Sequence, residues 1–95
     1  MKNYEIMFIV KSNLEESAIK SVLKNYESLV KSLKAEVVSS KDLGQKKLAY
    51  PIKKEVRGYY FLMNIKAGNE TIKELDRKMR LDENLLRHLI IKEEE

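Results

Sequence analysis

A chain of 95 residues with 43% hydrophobic and 36% charged residues is typical of one small globular domain and not of a disordered tract. No apolar run approaches the ~20 residues needed to cross a bilayer, so no membrane association is expected. There is no cysteine, which excludes disulfides, thiol catalysis and cysteine-ligated metals. The formal net charge of +4 is compatible with a polyanionic partner. The first residues enter a strand-like pattern without a signal segment, so a cytoplasmic protein is expected.

The first predicted elements are a strand and a helix. Residues 3–11, NYEIMFIVK, alternate in character and predict a strand whose even-numbered side chains are the more apolar. Asn13 is expected to cap the following helix, with Glu16 as the second half of a capping pair. Helical spacing predicts a buried stripe made of Ile19, Val22, Leu23, Tyr26, Leu29, Val30 and Leu33. Two i,i+4 ion pairs are expected on the outer surface, Glu16–Lys20 and Glu27–Lys31.

The second strand is predicted to lie at an edge of the sheet or to be interrupted at Pro51. It starts in AEVVSSKDL at 35–43, Gly44 allows a bend or bulge, and the apolar pattern resumes in LAYPI at 48–52. Because Pro51 has no N–H to donate to a neighbouring strand, it either places this strand at an edge or interrupts it. A polar turn, KKE at 53–55, follows.

Two strands and a helix complete the predicted order. The third strand runs from Val56 to about Ala67, and a second helix begins near Asn69. That helix turns three apolar residues inward, Ile72, Leu75 and Met79. A turn at 82–84 leads to the fourth strand, LLRHLIIK. We expect residues 1–92 to form a single domain, followed by a short acidic end at 93–95.

The order β-α-β-β-α-β predicts an α+β protein with the ferredoxin-like arrangement, because right-handed crossovers bring the strands into a single antiparallel sheet. This sheet has four strands and carries both helices on one face. Its other face is open to water or to a partner.

The excess positive charge is concentrated in one segment, GQKKLAYPIKKEVR at 44–57. Its basic residues are Lys46, Lys47, Lys53, Lys54 and Arg57, and its one acid is Glu55. The local charge of +4 equals the formal charge of the whole chain, so the remaining residues are balanced. Flexible lysine stems without an obvious pocket favour contact with phosphates over reading of base edges. The alternative is a solubilising strand edge, where lysines discourage aggregation.

No constellation of residues indicates catalysis. His88, the only histidine, lies among apolar residues and is more typical of a packed or rim residue than of a catalyst. With no cysteine and one histidine, no metal site is expected. The scattered glycines form no phosphate-cradling loop. Asp76 is spaced to pair with Arg80, and Asp82 and Glu83 suit a solvated turn.

The acylphosphatases share this topology, but they need an arginine and close backbone amides in the loop after the first strand. Here that loop is KSNLEE, which has neither arginine nor glycine. The chain is therefore not expected to be an enzyme. No catalytic residue, cofactor or small-molecule substrate is predicted.

The segment RGYYFLMN at 57–64 nearly matches the RNA-recognition-motif signature, in which two aromatic residues face outward and stack on bases. Those positions are Tyr59 and Phe61. They share a face with Met63 and Ile65, so the alternation predicts that they turn toward the helices as core. We therefore interpret the match as a false motif on a related architecture.

The open face is predicted to carry an apolar patch. Met7 and Ile9 on the first strand neighbour Tyr60 and Leu62 on the third strand if those strands pair as the topology requires. An exposed patch of this kind favours a protein partner. The alternative is the scatter of surface apolar residues that monomers commonly show.

Several blocks of the chain resemble the family of the sixth protein of the bacterial small ribosomal subunit. They are YEIMFIV, LAYPIKK, RGYYFL and ELDRKMRLDENLLRHLIIK, and the resemblance runs from Tyr4 to Lys92. The central block KKLAYPIKK…RGYY is the most specific, and the first helix matches only in pattern. The resemblance implies a ferredoxin-like fold without enzymatic activity.

The resemblance also implies partners and site residues. The partners are the central domain of small-subunit ribosomal RNA and the eighteenth protein of the same subunit, bound as a heterodimer. Carried over by position, the candidate RNA-binding residues are Lys46, Lys47, Lys53, Lys54, Arg57, Arg80 and Arg87. The residues alone leave two other functions open, a single-stranded RNA binder that stacks bases on the sheet and a dimerisation module without RNA.

Overall fold

The computed structural model describes residues 1–93, so Glu94 and Glu95 of the predicted acidic end lie outside the described residues. The elements are β1 (Lys2–Lys11), α1 (Glu16–Ser32), β2 (Glu36–Ile52), β3 (Glu55–Ala67), α2 (Asn69–Leu81) and β4 (Leu85–Lys92). The four strands form one sheet in the order β2-β3-β1-β4, with antiparallel neighbours. The predicted ferredoxin-like order is confirmed. No helix within residues 1–93 is long and apolar enough to span a membrane.

The main core lies between the sheet and the two helices, as the strand alternation predicts. Ile6, Phe8 and Phe61 are fully buried there. The helices contribute their apolar stripes, and the buried helical members are Ile19, Val22, Tyr26, Val30, Leu75 and Met79. Tyr59 packs against this cluster as a partly buried residue. The predicted face of the sheet is therefore correct.

The start of α1 differs from the prediction. The N-cap is Glu15, which makes no side-chain capping hydrogen bond, so the predicted capping by Asn13 is wrong. Leu14 packs against the core before the helix begins, and Asn13 lies exposed in the turn that precedes it. The Glu16–Lys20 pair forms at 3.2 Å. Glu27 instead accepts a hydrogen bond from Ser40 at 3.0 Å.

β2 is a long edge strand with three irregularities in its pairing to β3. One of them is at Gly44, which has φ +80° as the predicted bend requires. The largest follows Lys47, which pairs with Arg57, whereas the next pair is Ile52 with Glu55. Residues 48–51 therefore stand opposite Val56 alone, and this bulge bends the strand. Pro51 lies in the bulge at the sheet edge, as predicted.

Candidate nucleic-acid and protein interface

Residues 44–57 form the distal part of the β2–β3 hairpin, which we call the arm. The five basic side chains predicted to bind RNA there are all exposed: Lys46, Lys47, Lys53, Lys54 and Arg57. Within residues 1–93, none of the five lies within ion-pairing distance of an acid. The arm is therefore a surface of uncompensated positive charge.

The arm places like charges close together. Lys47 and Arg57 are direct register partners on the two strands, and like charges in this position destabilise a hairpin. The two-residue loop at the tip consists of Lys53 and Lys54, with φ of 51° and 68°. Two consecutive positive φ values are typical of a type I′ turn, which favours asparagine and glycine over lysine. Folding stability alone does not account for lysine at these positions.

The base of the arm packs against the open face of the sheet. Leu48, Ile9 and Leu86 form a second core cluster above Gly58, with Tyr60 and Ile52 at its margin. Ile9 is only 5% exposed. Its predicted place in an exposed patch is therefore wrong, because the bent arm brings Leu48 over it.

A bulge between β1 and β4 brings a further predicted residue to the arm. Ile9 pairs with Arg87 but Val10 pairs with Leu85, so Leu86 is the extra residue. Because of this bulge, the side chains of Leu86 and Arg87 both lie on the open face of the sheet. Arg87 Nη1 donates a hydrogen bond to Tyr50 Oη at 2.7 Å, and its guanidinium carbon lies 5.9 Å from the centroid of the Tyr50 ring.

Arg80 is not brought to the arm. It lies on α2, on the opposite side of the sheet, and its Nε is 3.3 Å from Asp76, as its spacing predicts. Asp76 also lies 2.7 Å from His88 Nε2, and the His88 side chain is 16% exposed. The interpretation of His88 as a packed rim residue fits this contact.

The turn after α2 holds a buried tyrosine. Tyr26 Oη donates a hydrogen bond to Asp82 Oδ2 at 2.5 Å, so Asp82 is more than the solvated turn residue that its sequence suggests. Burial, followed by this hydrogen bond, raises the pKa of Tyr26 above its usual value. Tyr59 similarly donates to Asp42 at 2.9 Å, and this bond raises the pKa of Tyr59.

The remaining apolar patch on the open face extends toward β4. Met7 pairs with Leu62 and Ile9 with Tyr60, as predicted. Sequence reasoning missed Leu89 and Ile91, which are 51% and 48% exposed. Leu89 and Ile91 pair with Met7 and Glu5 of β1 and so lie on the same face as Met7. His88 and Ile90 lie on the helix side of β4, so alternation along the strand indicates that Leu89 and Ile91 lie on the open face.

The near-match to the RNA-recognition motif is resolved by burial. Phe61 is fully buried, with its ring centroid 5.5 Å from that of Phe8 and 5.0 Å from that of Tyr59. A base cannot stack on Phe61 without displacing the core. The alternative function of base stacking on these two residues is therefore excluded.

The chain is similar to known proteins along nearly its whole length. The family model for Ribosomal protein S6 matches residues 3–92. Among solved structures, the chain is similar to the 30S ribosomal protein S6 from Thermotoga maritima, with a TM-score of 0.92 and 22% sequence identity. That alignment covers 97% of this chain and 87% of the Thermotoga chain, and it shows the fold.

Proposed function

The chain belongs to the ribosomal protein S6 family, and we propose that it binds the central domain of small-subunit ribosomal RNA through the arm. It is a small-subunit ribosomal protein, and the family comprises structural components of the ribosome, not enzymes. We further propose that it acts in the cytoplasm, on the ribosome, as a heterodimer with the eighteenth protein of the subunit.

The observation that carries the RNA proposal is the uncompensated charge of the arm. All five basic groups are exposed, and no acid within residues 1–93 pairs with them. By contrast, three of the basic residues on α2 have acidic partners on the same helix, namely Arg77, Lys78 and Arg80. Phosphates of a polynucleotide are the counter-charges that fit a row of exposed lysines.

The proposed contacts predict a definite dependence on salt. Each phosphate that the arm neutralises releases condensed counterions, so affinity falls as salt rises. If about four of the five groups engage, the log–log slope is roughly −3 to −4, taking ~0.7–0.9 for each contact.

The test converts Lys46, Lys47, Lys53 and Lys54 together to glutamine. Binding to a central-domain transcript, measured with the eighteenth protein present, should fall by orders of magnitude and the slope should flatten. A matched variant converts Lys20, Lys24, Lys31 and Lys73, four exposed lysines of the helices, and removes the same charge. Equal losses from the two variants, or none from the first, would show that the arm is not the RNA contact.

The protein partner is proposed to bind the open face. The predicted residues are Met7, Ile9, Tyr60 and Leu62. Ile9 is buried and supports this face from within, and the other three are half-buried. Leu89 and Ile91 enlarge the accessible part of this surface. Exposed apolar side chains that adjoin in this way favour a protein over a polynucleotide as the occupant.

A further inference from the structure

Two polar contacts fasten the arm to β4. Tyr50 Oη accepts the 2.7 Å hydrogen bond from Arg87 Nη1, and Arg87 lies against the Tyr50 ring. Nearer the tip, Lys53 Nζ donates to the carbonyl oxygen of Leu85 at 3.1 Å. Both contacts join the arm to the first residues of β4, which are not adjacent to β2 in the sheet.

The contact between Tyr50 and Arg87 holds a segment of the arm that does not pair with β3. Residues 48–51 have no register partners on β3, since pairing passes from Lys47–Arg57 directly to Ile52–Glu55. Leu48 is 6% exposed and anchors one end of this segment, whereas Tyr50 is 54% exposed. The contact with Arg87 is therefore what fixes Tyr50 in place.

The arm also contains features that oppose its folded conformation. Lys47 faces Arg57 across the hairpin, and Lys53 and Lys54 both have positive φ. Strained backbone of this kind persists only where the surroundings over-determine it. If the arm were mobile in the free protein, ordering it on binding would cost about 1–2 kcal/mol of free energy per residue, because conformational entropy is lost. An arm already fixed in the free protein avoids that loss.

We propose that Tyr50 and Arg87 are positioning residues, whose contact holds the arm lysines in the arrangement that binds RNA. Arg87 then supplies no phosphate contact of its own, in contrast to the role that the family resemblance implies for it. This inference rests on the proposed RNA-binding function of the arm.

Salt dependence separates positioning from contact. Loss of a phosphate contact lowers both the affinity and the steepness of the salt slope, by ~0.7–0.9 for each contact. Loss of pre-organisation lowers the affinity and leaves the slope unchanged, because the same phosphates are neutralised in the complex. Tyr50→Ala alters no charge, and Arg87→Gln removes one.

The experiment measures binding of the central-domain transcript, with the eighteenth protein present, across a salt series. Tyr50→Ala and Arg87→Gln should each weaken binding about tenfold with an unchanged slope. Lys54→Gln should make the salt slope less steep by ~0.7–0.9, the value for one phosphate contact. Val56→Ala, which trims a 56% exposed residue of the arm, should change neither quantity.

Hydrogen exchange of the arm amides in the free protein gives a readout that needs no RNA. Exchange should be about tenfold faster in Tyr50→Ala and Arg87→Gln, and unchanged in Lys54→Gln and Val56→Ala. A lower slope in Arg87→Gln, or unchanged exchange in both positioning variants, would overturn the inference while leaving the proposed function standing. Absence of RNA binding by the unaltered protein would overturn both.

Discussion

Gly58 lies so close beneath Ile9 that a Cβ at position 58 would stand 2.3 Å from Ile9 Cγ2. The same atom would be 3.5 Å from both Leu48 and Leu86, so the second core cluster packs directly against Gly58. Its backbone φ is not positive, and the need for glycine is therefore one of space alone.

Gly58→Ala should consequently destabilise the protein by about 1–3 kcal/mol, as overpacking of a core does. Urea denaturation measures the change. Ile9→Ala in the same chain should relieve part of it, because it removes the clashing methyl group and the two effects are then non-additive. Gly68→Ser is the control, since a Cβ at Gly68 meets nothing within 4 Å and serine suits this N-cap position. Strictly additive losses at Gly58 and Ile9 would contradict this account.

Phe61→Ala should destabilise by about 3–5 kcal/mol, because it empties a fully buried aromatic site between Phe8 and Tyr59. For a domain of this size, such a loss is a large part of the total stability, which is about 5–15 kcal/mol. Val56→Ala is the matched control, at an exposed position of the same strand, and should change stability by about 0.5 kcal/mol or less. A small effect at Phe61 would argue that the sheet faces are assigned the wrong way round.

The burial of Tyr26, together with its hydrogen bond to Asp82, should make the stability of the protein depend on pH in the alkaline range. The pKa of Tyr26 is higher in the folded protein than in the unfolded chain, where it is about 10. Its contribution is therefore fully present below about pH 10 and is lost as pH rises toward the folded-state pKa. The stability difference between the unaltered protein and Tyr26→Phe should accordingly shrink above about pH 10. Urea titrations from neutral pH upward measure it, and parallel curves would show that the tyrosine proton is not involved.

Lys54 and Lys47 offer a matched pair for separating stability from binding. Replacing either lysine with glycine removes one exposed charge of the arm. Of the two residues, only Lys54 has a positive φ, of 68°. Lys54→Gly should stabilise the protein by about 1 kcal/mol. Lys47→Gly in an extended strand should destabilise it by less than about 1 kcal/mol, because loss of the repulsion with Arg57 offsets part of the cost of glycine. Both should flatten the salt slope of RNA binding by the same ~0.7–0.9. Opposite changes in stability with unequal slopes would mean that only one of these lysines contacts RNA.

The fold could be predicted from the sequence because its determinants are local. Period-2 alternation in β1 and β3 predicts that Phe8 and Phe61 lie on the helix side, and Pro51 predicts that β2 lies at an edge or is interrupted there; both predictions agree with the fold. The arm could not be predicted in the same way. The burial of Ile9 depends on Leu48, which arrives through a bulge whose size no local pattern specifies.

The same limit applies to the polar contacts of the candidate site. The Tyr50–Arg87 hydrogen bond joins residues of two strands that are not neighbours in the sheet, so no spacing in the sequence indicates it. Leu89 differs, because continued alternation along β4 would have placed it on the open face with Met7. Asn13 was a plausible cap by residue type, but packing of Leu14 decided where the helix begins.

The open face gives the last prediction. Tyr60 is a poor position for testing the proposed protein interface, because its ring packs against the second core cluster and lies under Lys46 Nζ at 5.7 Å. Leu89 is better, since it is 51% exposed and adjoins Met7 on the accessible part of the face. Leu89→Lys should leave the fold intact and weaken binding of the purified eighteenth protein at least tenfold, because it places a charge in an apolar contact.

Leu81→Lys is the matched control for Leu89→Lys. It makes the same change at a residue that is 69% exposed at the end of α2, on the helix side of the sheet. Both variants add one positive charge, so neither should reduce the electrostatic part of RNA binding. Calorimetric titration with the eighteenth protein measures the two affinities. If both variants bind as tightly as the unaltered protein, the β4 side of the open face is removed from the proposed interface, and equal losses in both would point to a non-specific effect of the added charge.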